Sequence, residues 1–272
     1  IILTTAVYWL YVRTLGRLLF IALLLIMIPL AITELGTDGW ITELMGPVMK
    51  VIGLHAGWVI VYTSVIMVVL RFFAGPVVAA LTPLGLLAVC AAAAAVGLFW
   101  LSSAEAAFSI LLAATFYGIA KSYFWPTMLG VVAERFPKGG ALTLNATGGL
   151  GMLSAGVIGA VFLGLSQDRA VDKTIQNYDL ANGTAIHDTY VTVEKRSVLG
   201  SYSALDQDKV AAEATPEEQQ AITSAIDDAK KAALKTVAIL PLIMLISYLL
   251  LILYFRSQGG YRPVDLGAGG HH

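Results

Sequence analysis

Six stretches of this chain are almost continuously apolar: Leu18 to about Thr37, about Trp58 to Val78, about Leu84 to Leu101, about Phe108 to Ala133, Ala141 to Leu165, and Val237 to Phe255. A hydrocarbon layer about 30 Å thick takes roughly 20 residues of α-helix to cross, and each stretch meets that length. In hydrocarbon a single segment satisfies its own N–H and C=O groups only as a helix. The expected class is therefore all-α, a polytopic membrane protein. Composition agrees: 58% of the 272 residues are hydrophobic and only 13% are charged, about half the charge of an ordinary soluble domain. A formal net charge of -1 without a basic tract excludes nucleic acid as a partner. The lone Cys90 lies in an alanine-rich apolar run, which excludes a disulfide scaffold and a cysteine metal site.

The rest of the organisation follows from where the charges fall. Residues 1–12 are apolar, too short to cross alone, and are followed at once by Arg13 and Arg17; they are expected to be the end of a preceding, truncated helix. Residues 13–165 then hold five spans, 166–235 a polar excursion, 236–257 the last span and 258–272 a tail. One set of span ends carries Arg13, Arg17, Arg71, Arg135, Lys138, Arg256 and Arg262, the other Lys50 with Asp38, Glu43 and Glu105. The positive-inside bias makes the first set cytoplasmic, so both termini are expected there and the excursion outside. That excursion holds 20 of the chain's 35 acidic and basic side chains. Within it, Thr215-Pro216-Glu217-Glu218 reads as a capping-box helix start, and Tyr178 to Gly200 suggests a turn with a short hairpin. Asn182-Gly183-Thr184 has the form of a glycosylation acceptor, which matters only on a eukaryotic secretory route.

Few residues in the spans can carry chemistry. Tyr117, Gly118, Lys121 and Trp125 recur at helical spacing on one face of the fourth span. An ammonium at that depth costs a few kcal/mol without a partner, so Lys121 is expected to face the interior. Pro126 has no N–H, which deprives the carbonyl of Ser122 of its helical donor and leaves a backbone acceptor for a ligand. Glu34 stands 17 residues beyond Arg17, and Lys121 13 residues before Glu134, about 25 Å and 20 Å of helix rise from the same side. A Glu34–Lys121 ion pair is thus geometrically allowed. Asp38 and Trp40 close that first span, where interfacial placement explains them as well as substrate contact does. The fifth span is rich in glycine (Gly148, Gly149, Gly151, Gly156, Gly159 and Gly164), which suggests close helix packing, with Asn145 on a face shared by Gly149. His55, His187, His271 and His272 lack metal-ligand spacing, and no nucleophile with a base lies within the spans. No enzyme and no cofactor are expected.

The run Lys121-Ser122-Tyr123-Phe124-Trp125-Pro126-Thr127-Met128, the segment Glu134-Arg135-Phe136-Pro137 before a glycine-rich span, and Glu34-Leu35-Gly36-Thr37 in the first resemble the C-terminal half of a major facilitator superfamily transporter, closest to sugar-permease-like members. The resemblance covers nearly the whole chain. It implies a six-helix half bundle in the plasma (inner) membrane, helices 7 to 12 of a transporter whose N-terminal six-helix half is missing. It further implies a small polar solute such as a sugar, moved by alternating access with a coupled proton or sodium ion, with membrane lipid around the bundle. The substrate-binding or coupling set would be Glu34, Thr37, Asp38, Trp40, Tyr117, Lys121, Trp125 and Asn145, with Trp40, Tyr123 and Trp125 stacking on a ring. Arg71, Glu134 and Arg135 would mark the cytoplasmic loops, and Ala74 to Leu81 is similar to the family's gating loop but lacks its usual charges. Two other readings stand beside this one: a membrane-anchored interaction protein using the external segment, and an oligomeric six-helix channel.

Overall fold

The computed structural model describes residues 17–264 apart from 52, 54, 56, 198 and 199. The expected helix end at 1–12, Arg13 and the histidine pair His271 and His272 lie outside the described residues, and Trp40 is described by its backbone alone.

The chain is helical almost throughout. Helix α1 (Leu18–Ala31) runs on through a π-turn (Ile32–Gly36) towards α2 (Asp38–Val51); α3 (Trp58–Phe72) and α4 (Ala74–Leu81) follow, then α5 (Pro83–Ser103), α6 (Ala107–Lys121) and α7 (Phe124–Arg135). Helix α8 (Gly140–Leu153) passes through a second π-turn (Ser154–Gly159) into α9 (Ala160–Asn182). A short α10 (Ile186–Tyr190), a hairpin of β1 (Val193–Ser197) and β2 (Gly200–Ala204), and α11 (Gln207–Glu213) lead to α12 (Pro216–Val237) and α13 (Ile239–Ser257). Among the described residues five helical runs are long and apolar enough to cross a membrane, and a sixth is added if α3 and α4, bent by 63° at their junction, count as one.

The breaks have local causes. Pro76 cannot donate to the carbonyl of Phe72, and Pro126 cannot donate to that of Ser122, so the helix opens just before each. Alanine-rich α5 sits centrally, packed on α6, α12 and α13. At Gly97 a Cβ would lie 3.1 Å from the Cα of Tyr117, so glycine is what lets α5 and α6 approach. Thr82, between α4 and α5, holds a left-handed φ of 62°; its hydroxyl caps α5 by accepting from the Gly85 N–H.

Several sequence expectations are redrawn. Residues 38–51, read as an outer loop, form α2, and Ala74–Leu81 is a helix rather than a loop. The chain does not leave helix at residue 166, because α9 continues to Asn182, where Gly183 closes it at φ +68°. The polar excursion is built on α9 packed along α12, with a core of its own around Ile175, Ile186, Tyr190, Ile222 and Ala225. The capping box forms at Thr215 and Glu218. The hairpin stands at 193–204, pairing Val193 with Ala204 in antiparallel register. Close packing accounts for only part of the glycine stripe. A Cβ at Gly151 would meet Met27 and Trp125, and one at Gly159 would meet Ile32, whereas Gly148, Gly149, Gly156 and Gly164 face open space.

Candidate functional site

Three helix irregularities converge: the π-turn after α1, the break between α3 and α4, and the break between α6 and α7. Each frees backbone groups or swings a side chain out of register, and four charged residues fill the gap. A π-turn adds a residue to the helical turn, a distortion that recurs at functional sites. Here it aims the Glu34 side chain and its carbonyl in different directions.

The Glu34 carboxylate accepts from Arg71 Nη2 at 3.0 Å and from the backbone N–H of Trp125 at 2.9 Å. Arg71 Nε also donates to the Ser122 carbonyl at 3.0 Å, the acceptor that Pro126 leaves open. That carbonyl therefore serves the protein's own guanidinium and is not open to a ligand. One arginine on α3 thus ties together all three irregularities. Arg71 itself remains 43% exposed, on the open side of the pair with Glu34.

Lys121 lies inward, 1% exposed, paired with the Asp38 carboxylate while donating to the Glu34 carbonyl at 3.1 Å. The expected Glu34–Lys121 side-chain pair does not form: each carboxylate has its own cation, Glu34 with Arg71 and Asp38 with Lys121. The partners are unequal. Glu34 is 4% exposed against 43% for Arg71, and Lys121 1% against 40% for Asp38, so each pair has one buried and one accessible member. Two carboxylates and two cations leave the cluster formally neutral. Beneath it, the buried Tyr117 hydroxyl donates to the Thr33 carbonyl at 2.5 Å and lies 2.9 Å from Thr37 Oγ1. Thr37 in turn donates to the same Thr33 carbonyl, so these hydroxyls brace the π-turn.

The cluster forms one wall of an open cleft of about 530 Å³. Glu34, Asp38, Arg71 and Trp125 supply its polar and aromatic lining, and Leu35, Met67, Pro126, Leu129 and Met152 the apolar remainder. Apart from Pro126, the last group carried no signal in sequence beyond hydrophobicity. Gly151 gives Trp125 room to lie against α8. Lys121 acts on the cleft through Asp38, while Tyr117 and Thr37 are buried behind it. Other expected residues lie elsewhere. Tyr123 is buried with its hydroxyl on the Leu70 carbonyl, which takes it out of any stacking role. Asn145 is exposed on α8 and does not line the cleft. Glu134 and Arg135 hold the tail: Tyr261 donates to the Glu134 carboxylate, Val264 N–H to the Glu134 carbonyl, and Arg135 to the Arg262 carbonyl. Burial and the neighbouring Glu134 carboxylate raise the Tyr261 phenol above its usual value.

Among the described residues no three His, Cys, Asp or Glu side chains gather in a way that would hold a metal ion. Comparison with protein-family models, curated proteins and solved structures returns no match.

Proposed function

We propose that this chain is an integral membrane protein forming one six-helix wall of a secondary transporter of the major facilitator type, which moves a small polar solute by alternating access. The observation that carries the reading is the neutral four-charge cluster held at broken helices beside an open cleft. Charge inside apolar helices is expensive and is retained where a solute or ion path needs it; discontinuous helices near the middle of a bundle supply such sites in transporters. The lone wall is completed by a second six-helix unit. Exposed apolar side chains such as Leu25, Val65, Val96, Ile246 and Leu250 suit contact with lipid. With its charges balanced, the cleft favours a neutral solute, and a sugar ring stacked on Trp125 fits that chemistry. A coupled proton or sodium ion would act by exchanging for one cation of the two pairs.

The test is uptake of radiolabelled monosaccharides into vesicles holding the complete transporter. Trp125→Ala, and Arg71→Gln after correction for membrane abundance, are expected to lower uptake at least tenfold. Unchanged uptake in both variants would overturn the assignment, and ion conductance by this chain alone would favour a channel.

A further inference from the structure

We propose that the junction between α9 and α12 is a binding site for the headgroup of an anionic phospholipid. This inference rests on the membrane reading above but not on transport. A groove of about 520 Å³ runs between the two helices. Its lower wall is Phe162 and Leu165, its upper wall Arg169, Lys173 and Asn177, and Thr236 closes it from α12.

Two independent marks put this groove at the membrane surface. On α9 the apolar run ends at Leu165; on the facing helix the apolar run begins at Val237, one residue past Thr236. Since Leu165 and Thr236 line the same groove, the two helices agree on the level at which hydrocarbon gives way to headgroups. Arg169 and Lys173 stand four and eight residues above Leu165, about 6 and 12 Å of rise. Helical side chains lean towards the helix N-terminus, which for α9 is towards the membrane, so both cations are directed down to the phosphate level.

The chemistry is that of a phosphate with acyl chains below it. Arg169 and Lys173 are exposed, and among the described residues neither forms a salt bridge with a carboxylate. No acid lines the groove. A guanidinium and an ammonium one helical turn apart match a phosphodiester, and the apolar Phe162 and Leu165 lie on the side of the acyl chains. A soluble phosphate would have no use for that apolar lower wall.

The full chain, purified in detergent, is supplemented with phosphatidylglycerol or with phosphatidylcholine of the same acyl chains, and lipid retention by native mass spectrometry is read beside the thermal unfolding midpoint. Phosphatidylglycerol is expected to be retained and to raise the midpoint more than phosphatidylcholine does. That difference should fall by at least half in Arg169→Gln with Lys173→Gln. It should persist in Arg169→Lys with Lys173→Arg, which keeps both charges, and in the charge-matched control Arg196→Gln with Lys209→Gln. Equal effects of the two lipids on the parent chain, or a full difference in the neutralised variant, would overturn the site. Stabilisation by glycerol phosphate alone, as large as that by the lipid, would also overturn it. Failure of the membrane reading is seen separately, as release of the chain from membranes by alkaline carbonate.

Discussion

The molecule uses carboxylate–cation contacts in two settings. Around the cleft, Glu34 with Arg71 and Asp38 with Lys121 join α1, α2, α3 and α6 among apolar helices. In the polar unit, His187 bridges Asp172 on α9 at 2.6 Å and its neighbour Asp188 at 3.2 Å, while Asp179 accepts from the N–H of Ile186 and of His187. The two networks hold similar groups at similar distances. They differ in what surrounds them when a partner is lost. Water can replace a partner of His187, but nothing can replace a partner of Lys121. The polar unit is held by its apolar core and helix caps, with its charges as adjustments; in the cleft the charges themselves fix where the helices break.

The sharpest way to break that comparison is to remove one charge at a time from a cleft pair. Because Lys121 is buried and Asp38 partly exposed, the two single changes should be unequal. Asp38→Asn strands a buried ammonium and is expected to cost about 3–5 kcal/mol. Lys121→Met leaves a carboxylate that water can reach and is expected to cost about 1 kcal/mol. The double change should recover most of the Asp38→Asn loss, whereas Lys121→Met with Glu34→Gln should recover nothing, because Glu34 gives Lys121 only its backbone carbonyl. Thermal unfolding of the four variants in detergent checks this. Rescue by Glu34→Gln instead would mean that the pairs exchange partners.

Much of this arrangement was legible in the sequence, but not the pairing. Run length located the apolar helices, and the cost of a buried ammonium turned Lys121 inward. Helix rise gave Glu34 and Lys121 similar depths, yet depth is one coordinate. The π-turn at Ile32–Gly36 changes azimuth, carrying Asp38 to Lys121 and releasing Glu34 to Arg71, and nothing in the composition of Ile-Thr-Glu-Leu-Gly announces a π-turn. The partner of Glu34 was not legible either: Arg71 lies inside the apolar run from Trp58 to Val78, and only the 63° bend between α3 and α4, beside Pro76, places it against Glu34. In the polar segment the hydropathy changes at residue 166, but the local structure does not. Helix α9 crosses that change without interruption, since a helix needs an apolar stripe and not an apolar surround. The capping box was readable because its signal is local: a hydroxyl, a proline and a glutamate in four consecutive residues.

That cap gives a smaller and more local effect. Thr215 Oγ1 accepts from the Glu218 N–H, and the Glu218 carboxylate accepts from the Thr215 N–H at 2.8 Å. Donation from the Thr215 N–H and from its hydroxyl holds the Glu218 carboxyl below its usual value. Thr215→Ala is expected to cost about 1 kcal/mol, seen as faster amide exchange in the first turns of α12 with protection around Lys121 unchanged. Loss of protection in both regions would mean that the polar unit and the helix bundle unfold together and that the contrast between them is one of chemistry only.

The smallest effect is a pH dependence confined to the polar unit. Partial desolvation lowers the His187 pKa, but hydrogen bonds to Asp188 and Asp172 and their charges outweigh it and hold the imidazole above its usual value. The groups facing it are Asp172 and Gln176 from α9 and the adjacent Asp188, with Asp179 on its backbone. A pKa raised on folding means that the folded state binds the proton more tightly than the unfolded one. The contribution is then fully present below the unfolded value of about 6.5 and is lost as pH rises through the higher folded value. With water near every partner it should amount to about 0.5 kcal/mol. Amide exchange over Ile186–Tyr190, corrected for the intrinsic effect of pH, should therefore be slower at pH 5.5 than at pH 8, and His187→Gln should remove the difference. The same slowing in His187→Gln would overturn the assignment to the imidazole. Asp179 acts in the opposite direction: desolvation raises its carboxyl, but the Thr184 hydroxyl and the backbone N–H groups of His187 and Ile186 outweigh that and hold it low, so its contribution to stability fades as pH falls and cannot supply a gain in acid.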